Sequence, residues 1–299
     1  MTPEHVDLSV LDRRTTREEA VTVREMARRG AFGEPSAQSV GEGRRTAGLL
    51  GIVVGVFLGL ICLVTLVVQL VGGSVDRGEL VVWLVLTAVL VSPAFLLPLL
   101  GRASDLRMWR RCAPLLELAR ANGAQLEPVS SRPALPGRIF GVGIGRVPTT
   151  TERVAWPATE AGPEVETGTR TYVVSSSSSS TTHRHRYVAV RLDAAQGSPR
   201  IVFEPGRHDG IRQGYPPLAS RSPDGTLYAG SESGDHAQRL FTDDLLGLLA
   251  DRTGPMAAEV VDGWFLAWTV GDGSPTDQRL WRRQLAIVTT VLAAELAGR

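Results

Sequence analysis

Two long apolar runs dominate the hydropathy pattern of the first third of the chain. Residues 46–75 and residues 80–101 contain no charged side chain. Each run is long enough to supply the roughly 20 apolar residues that a membrane-spanning helix needs. Only the short connection GGSVDRGE separates the runs. The pattern therefore predicts a two-helix transmembrane hairpin over residues 46–101.

Arginines are concentrated on the outer flanks of these two runs. Four arginines lie within residues 28–45 and four within residues 102–111, whereas the connection holds one arginine beside two acids. Because short cytoplasmic segments carry the excess of positive charge, this distribution places both termini in the cytoplasm. The sequence thus predicts a multi-pass protein of a bacterial cell membrane, in contact with lipid through two spans.

The first apolar run contains small residues at every fourth position. Ala47, Gly51, Gly55 and Gly59 would lie on one face of a helix, where small side chains let two helices approach closely. We call these four residues the glycine seam. Its partner is either the second span or another copy of the chain, which would make a homo-oligomer; alternatively, the glycines reflect only their frequency in membrane helices. Neither run holds an acidic or basic side chain, so the hairpin is interpreted as an anchor or oligomerisation element and not as a transport path.

The remaining segments show shorter periodicities. Thr15 or Thr16 is a candidate cap for a first helix, the pair Asp262-Gly263 is typical of a tight hairpin turn, and Ser274 is a candidate cap for a C-terminal helix. The predicted fold class is α+β: a transmembrane hairpin followed by a cytoplasmic domain of antiparallel strands with two packed helices. The predicted divisions are an N-terminal arm at 1–45, the hairpin at 46–101, a juxtamembrane helix at 102–123 and the α+β domain at 124–299.

The composition excludes several chemistries. All 32 basic residues are arginines, so neither Schiff-base lysine nor P-loop lysine chemistry is available. The formal net charge of +1 gives no reason to expect a nucleic-acid partner. Two cysteines cannot form a disulfide framework or, alone, a four-ligand zinc site. No cofactor is predicted.

The stretch VVSSSSSSTTHRHRYVAV contains the most distinctive polar segment of the chain. Strands are predicted at residues 172–174 and 187–192, which leaves residues 175–186 as their connecting loop. Serine repeats bury no apolar surface, so a mobile hairpin tip is the simplest interpretation. Two functional interpretations remain open: binding of an anionic surface, or phosphorylation followed by pairing with arginine. The candidate residues for both are Ser175, Ser180, Thr181, Thr182, His183, Arg184, His185 and Arg186.

Other possible sites are weaker. GVGIGR lacks the spacing and the following helix of a dinucleotide-binding loop. His183 and His185 would point the same way on an extended segment, but the adjacent arginines disfavour a cation, so no metal site is predicted. A spatially assembled enzyme site is the alternative to a binding role, with candidates His208, Asp209, Asp235 and His236.

Several phrases occur in an order found in a known family. They are ANGAQLEP, LPGRIFGVGIGR, EVETGTRTYVV, THRHRYVAVRLD, LFTDDLLGLLAD and AEVVDGW. With its hairpin, the chain resembles uncharacterised actinobacterial two-span membrane proteins that have a cytoplasmic α+β domain. That resemblance implies an architecture and no activity, and the segment around LYAGSESGDHAQRLFTDD is shorter than is typical of the family.

The sequence therefore favours a membrane-anchored, non-enzymatic interaction or regulatory module. Its expected partner is an unidentified cytoplasmic protein. The alternative is a membrane-tethered enzyme that uses the His/Asp candidates named above.

Overall fold

The computed structural model describes residues 5–40, scattered positions from 49 to 85, and residues 106–130, 135–141, 149–160, 162–175, 179–192, 200–205, 217–222, 225–229 and 234–297. The chain divides into two compact units. One comprises residues 1–15 and 111–299, and the other comprises residues 16–110.

The larger unit is built on an antiparallel sheet, for which nine strands are described in the order β1-β2-β3-β4-β9-β8-β5-β7-β6. Strands that follow one another in the chain are neighbours along most of this order, as is common in antiparallel sheets. The strands are β1 Gln125–Val129, β2 Thr149–Trp156, β3 Val165–Ser175, β4 Ser180–Arg191, β5 Ile201–Pro205, β6 Pro217–Ser222, β7 Gly225–Ala229, β8 Met256–Val261 and β9 Trp264–Thr269.

Helices complete the described structure. A 3₁₀ turn forms at Ser9–Asp12, and the helices are α1 Arg17–Arg28, α2 Glu34–Ser39, α3 at residues 106–121, α4 Arg138–Gly141, α5 Gly234–Leu240, α6 Asp243–Leu249 and α7 Gln278–Ala297. In the larger unit, α7 buries Trp281, Ile287, Val288 and Val291, and it contacts β4, α5 and α6. The smaller unit contains α1. A capping box between Thr16 and Glu19 begins this helix, as the sequence predicts.

The predicted fold class is wrong. The structure is mainly an antiparallel sheet with helices, and no helix in its described part is both long and apolar enough to cross a membrane. α7 has 20 residues, but charged side chains interrupt its apolar pattern at Arg279, Arg282, Arg283 and Glu295. The prediction rested on hydropathy alone, which measures how apolar a run of residues is and not which secondary structure it adopts.

The predicted multi-pass membrane localisation is wrong on the same finding, because it rested on the hairpin. Most of residues 46–101 lie outside the described residues. Within the glycine seam, Gly55 and Gly59 occupy helical positions, whereas Ala47 and Gly51 lie outside the described part.

Local turn and cap signals were more informative than hydropathy. Asp262 and Gly263 have φ angles of 48° and 76°, as a type I′ turn requires, and they join β8 to β9. Thr242 accepts a hydrogen bond from the backbone of Leu245 at the start of α6. The cap predicted at Ser274 is wrong, since α7 begins at Gln278 and the Asp277 carboxylate accepts from the backbone N–H of Arg279.

One face of the sheet is covered by the segment that contains α4. Its buried cluster combines Ile139 and Phe140 with strand residues, among them Tyr187, Leu266 and Trp268. Gly137 approaches β9 so closely that an added Cβ would lie 2.5 Å from Leu266 Cδ1. A side chain at position 137 would therefore force the Leu266 side chain to move.

Candidate functional site

The ends of β3 and β4 extend beyond the neighbouring strands. β2 pairs with β3 only as far as Thr171, and β9 pairs with β4 only from Tyr187 onward. Between these limits, residues 172–175 of β3 and 180–186 of β4 are paired with each other in the described structure. We call these two segments the arm. The sequence-predicted site residues lie on it.

The loop predicted at residues 175–186 is wrong in its extent. β4 begins at Ser180, and the register pairs Tyr172 with His183 and Ser175 with Ser180. A serine-rich composition indicated a flexible tip, but threonine is β-branched and suits a strand. Cross-strand pairing therefore orders most of the polar stretch that composition assigned to a loop.

The histidines share one face of the arm, as the sequence predicts. The rings of His183 and His185 lie 6.3 Å apart and are nearly parallel, with an interplanar angle of 5°. Tyr172 stacks against both, at 5.2 Å and 5.5 Å between ring centroids. The two histidines thus form an aromatic stack with tyrosine.

His185 is the most constrained member of this stack. Its Nδ1 lies 2.7 Å from the carbonyl oxygen of Thr269, so Nδ1 carries the proton and donates. Its Nε2 lies 3.2 Å from the Tyr172 hydroxyl and accepts from it. Burial lowers the pKa of His185, and the nearby His183 adds to that effect, while the Thr269 carbonyl opposes it. These surroundings therefore favour the neutral form of the His185 ring.

The arginines lie on the opposite face, because successive side chains of a strand alternate. Arg184 Nη2 donates to Glu152 Oε2 at 3.0 Å. Arg186 is fully buried, with its guanidinium 5.1 Å from the centre of the Trp281 ring. Burial lowers the pKa of Arg186 to about 10, although Glu152 opposes the shift.

Glu152 is the centre of this charged face. It lies at a register shift in β2 with a φ angle of 54°, and its side chain is completely buried. Its carboxylate accepts from Arg111 Nε at 2.6 Å and from Thr169 Oγ1 at 2.8 Å, besides Arg184. Its carbonyl oxygen accepts from Arg186 Nη1 at 3.2 Å. Glu152 was not identified from the sequence, because the only local sign of its role is an acidic residue within a strand-like segment.

The predicted anion-binding residues therefore do not form one surface. Ser180, Thr181 and Thr182 are exposed, but Arg186 and His185 are buried and Arg184 is already paired with a carboxylate. Only the backbone of Ser175 is described. Phosphorylation of the serine and threonine hydroxyl groups stays a prediction.

The outer edge of β4, where backbone N–H and C=O groups face away from β3, is more distinctive than the side chains of the arm. The N–H groups of Arg186 and Leu192 donate toward β9, to Thr269 Oγ1 and to the Gly263 carbonyl, whereas the Arg191 N–H donates toward β3. Even-numbered residues of β4 thus direct their backbone groups away from β3. At Thr182 and Arg184, no strand or hydrogen bond in the described residues covers these groups.

The residues considered for an enzyme site are only partly placed. Asp235 is exposed and His236 is half-buried on α5, while His208 and Asp209 lie outside the described residues. Among the residues that the structure describes, no group of three or more His, Cys, Asp or Glu side chains could hold a metal ion. In the described part of the chain, these candidates form no catalytic constellation.

Comparison with known proteins adds little. No protein-family model and no curated protein matches the sequence. A solved structure described as the crystal structure of the mycobacterial trehalose monomycolate transport factor A, TtfA, is similar with 14% sequence identity and a TM-score of 0.43. The similarity covers 62% of this chain and 93% of that chain. At this TM-score the likeness establishes neither a common fold nor a function, and the resemblance to actinobacterial two-span proteins stays a prediction.

Proposed function

We propose that this chain is a non-enzymatic interaction module, and that the arm receives an extended segment of a partner protein as an added strand on β4. The observation that carries the proposal is the backbone at Thr182 and Arg184, which no strand in the described part of the chain covers. A strand edge with unpaired N–H and C=O groups is a template for an incoming strand. The partner is a protein that can present a short extended peptide.

Two features of the arm support this kind of partner. Each main-chain hydrogen bond contributes a net stabilisation of about 0.5–1.5 kcal/mol, so several bonds along an edge give a useful affinity. The two faces of the arm differ, with the stacked rings of Tyr172 and His183 on one and the partly exposed Arg184 on the other. An added strand would place alternate side chains against these two surfaces, which supplies selectivity.

Replacing Thr182 by proline tests the proposal, because proline removes the N–H that points to the uncovered edge. Proline is tolerated on edge strands where that N–H faces away from the sheet, so the fold is expected to persist. The full chain would carry a photo-crosslinking amino acid at Ser180 in its native cells. We expect crosslinking to a distinct protein in the parent chain and a loss of about tenfold or more in Thr182→Pro, which corresponds to about 1.4 kcal/mol.

The matched control is Thr182→Ala, which changes the side chain and keeps the N–H. This variant is expected to capture the same protein as the parent chain. Equal capture by Thr182→Pro, or equal loss in Thr182→Ala, would contradict strand addition. If the probe at Ser180 crosslinks only to a second copy of the chain, the added strand comes from self-association and not from a partner protein.

A further inference from the structure

The guanidinium of Arg186 lies between the sheet and α7, and this residue is fully buried. Its central carbon, Cζ, lies 5.1 Å from the centre of the Trp281 ring. Its Nη1 donates to the carbonyl oxygen of Glu152 at 3.2 Å and lies 3.5 Å from Thr169 Oγ1. One of the three guanidinium nitrogens therefore has its partners within the protein.

The other two nitrogens of Arg186 form an unpaired edge. Nε and Nη2 are both buried, and neither has a hydrogen-bond partner among the described residues. In a planar guanidinium these two N–H groups are parallel and point toward the same position, which is the geometry that binds an anion through two hydrogen bonds. Buried donors of a charged group are costly without an acceptor, so an acceptor at this position would stabilise the fold.

The charge around Arg186 is also unbalanced. Arg111 and Arg184 both donate to the carboxylate of Glu152, at 2.6 Å and 3.0 Å. Arg186 donates only to the backbone carbonyl of Glu152, so three arginines share one carboxylate. In the described part of the chain, no second acid forms an ion pair with any of these three arginines. Because like charges repel strongly away from water, one further negative charge is favoured here.

Arg186 keeps its charge despite its burial. Burial lowers its pKa to about 10 and the charge of Arg184 adds to that effect, whereas Glu152 and Tyr187 oppose it. At neutral pH the guanidinium is therefore still positive. The unpaired edge combines two parallel donors with a full positive charge, and a ligand for it must be negative or a strong acceptor.

We propose that the Nε–Nη2 edge of Arg186 binds a small inorganic anion, of which chloride is the representative. The two parallel N–H groups would donate to the ion, and its charge would offset the excess of arginine around Glu152. Because the edge is completely buried, the ion must be small enough to fit between the sheet and α7 without displacing them. The site faces α7 and uses no backbone group of β4, so the proposal does not depend on strand addition.

Thermal unfolding of the full chain in sodium chloride and in sodium gluconate, at equal concentrations, tests this proposal. The two salts have the same ionic strength, but gluconate is too large for a buried site. Because a ligand that binds only the folded state stabilises it by mass action, we expect chloride to raise the melting temperature by at least about 2 °C relative to gluconate. The rise is expected to saturate as chloride increases. A melting temperature that is the same in both salts would overturn the proposal.

Arg186→Met assigns the effect to the unpaired edge. Methionine removes all three nitrogens and keeps an unbranched side chain, so the rise caused by chloride is expected to disappear. The matched control is Arg283→Met, since the three nitrogens of Arg283 already donate to backbone carbonyls. This variant is expected to show the same rise from its own lower melting temperature. A chloride effect that persists in Arg186→Met, or disappears in Arg283→Met, would contradict the assignment to Arg186.

Bromide replaces chloride in a second measurement that needs no variant. X-ray diffraction at the bromine absorption edge, from crystals of the full chain grown in sodium bromide, locates the ion by its anomalous signal. We expect an anomalous peak in contact with both Nε and Nη2 of Arg186. Density at this position without an anomalous signal would identify a water molecule and overturn the proposal, as would bromide bound only elsewhere on the protein.

Discussion

Replacing Glu152 by glutamine is expected to lower the free energy of unfolding by roughly 3–5 kcal/mol, as for other buried ion pairs that lose one partner. The carboxylate receives Arg111, Arg184 and Thr169 in one buried position. Glutamine keeps the shape but carries no charge, and its amide group would donate toward the arginines. Arg186, which is buried beside it, would lose the favourable field of the carboxylate.

Urea denaturation followed by circular dichroism measures this loss. Glu160→Gln serves as the control because it removes a carboxylate from an exposed position. Surface substitutions of this kind usually change stability by no more than about 0.5 kcal/mol. A Glu152→Gln variant within that margin would show that Glu152 is not the main counterion of Arg111, Arg184 and Arg186.

Arg283→Met is expected to lower the free energy of unfolding by roughly 2–4 kcal/mol, because each buried carbonyl left without a donor costs about 1–3 kcal/mol. Arg283 on α7 donates from Nε to the Leu248 carbonyl at 2.5 Å and from Nη2 to the Leu249 carbonyl at 2.9 Å. Its Nη1 donates to the Gly254 carbonyl. One side chain thus caps the C-terminal end of α6 and holds the following turn.

The neighbouring Arg282→Met variant is the control for this prediction. Arg282 is exposed and donates to Gln278 one turn earlier on the same helix, so its loss is expected to cost no more than about 0.5 kcal/mol. Methionine preserves helix propensity at both positions, so the comparison isolates the cap. Equal melting temperatures for the two variants would contradict a capping role for Arg283.

The sequence predicted features that depend on a few adjacent residues. The turn at Asp262-Gly263 and the cap at Thr16 follow from local backbone chemistry, and the structure contains both. The common orientation of His183 and His185 followed from strand alternation. Such features can be predicted without knowing which residues pack against them.

Features that depend on distant partners could not be predicted in this way. Glu152 meets Arg111 and Arg184 across 41 and 32 residues of sequence, and no local pattern indicates those pairings. The membrane hairpin rested on hydropathy alone and is wrong, and the loop at 175–186 rested on composition alone. A cavity on one face of the sheet is lined by residues from six separate segments, so only tertiary structure brings its walls together.

Amide hydrogen exchange along β4 of the full chain tests the central claim of an uncovered strand edge most directly. The amides of Thr181 and His183 point toward β3 and are expected to exchange slowly, as paired amides do. The amides of Thr182 and Arg184 point away from β3 and are expected to exchange at least about tenfold faster. If Thr182 and Arg184 are as protected as their neighbours, the edge is already covered and strand addition by a partner is contradicted.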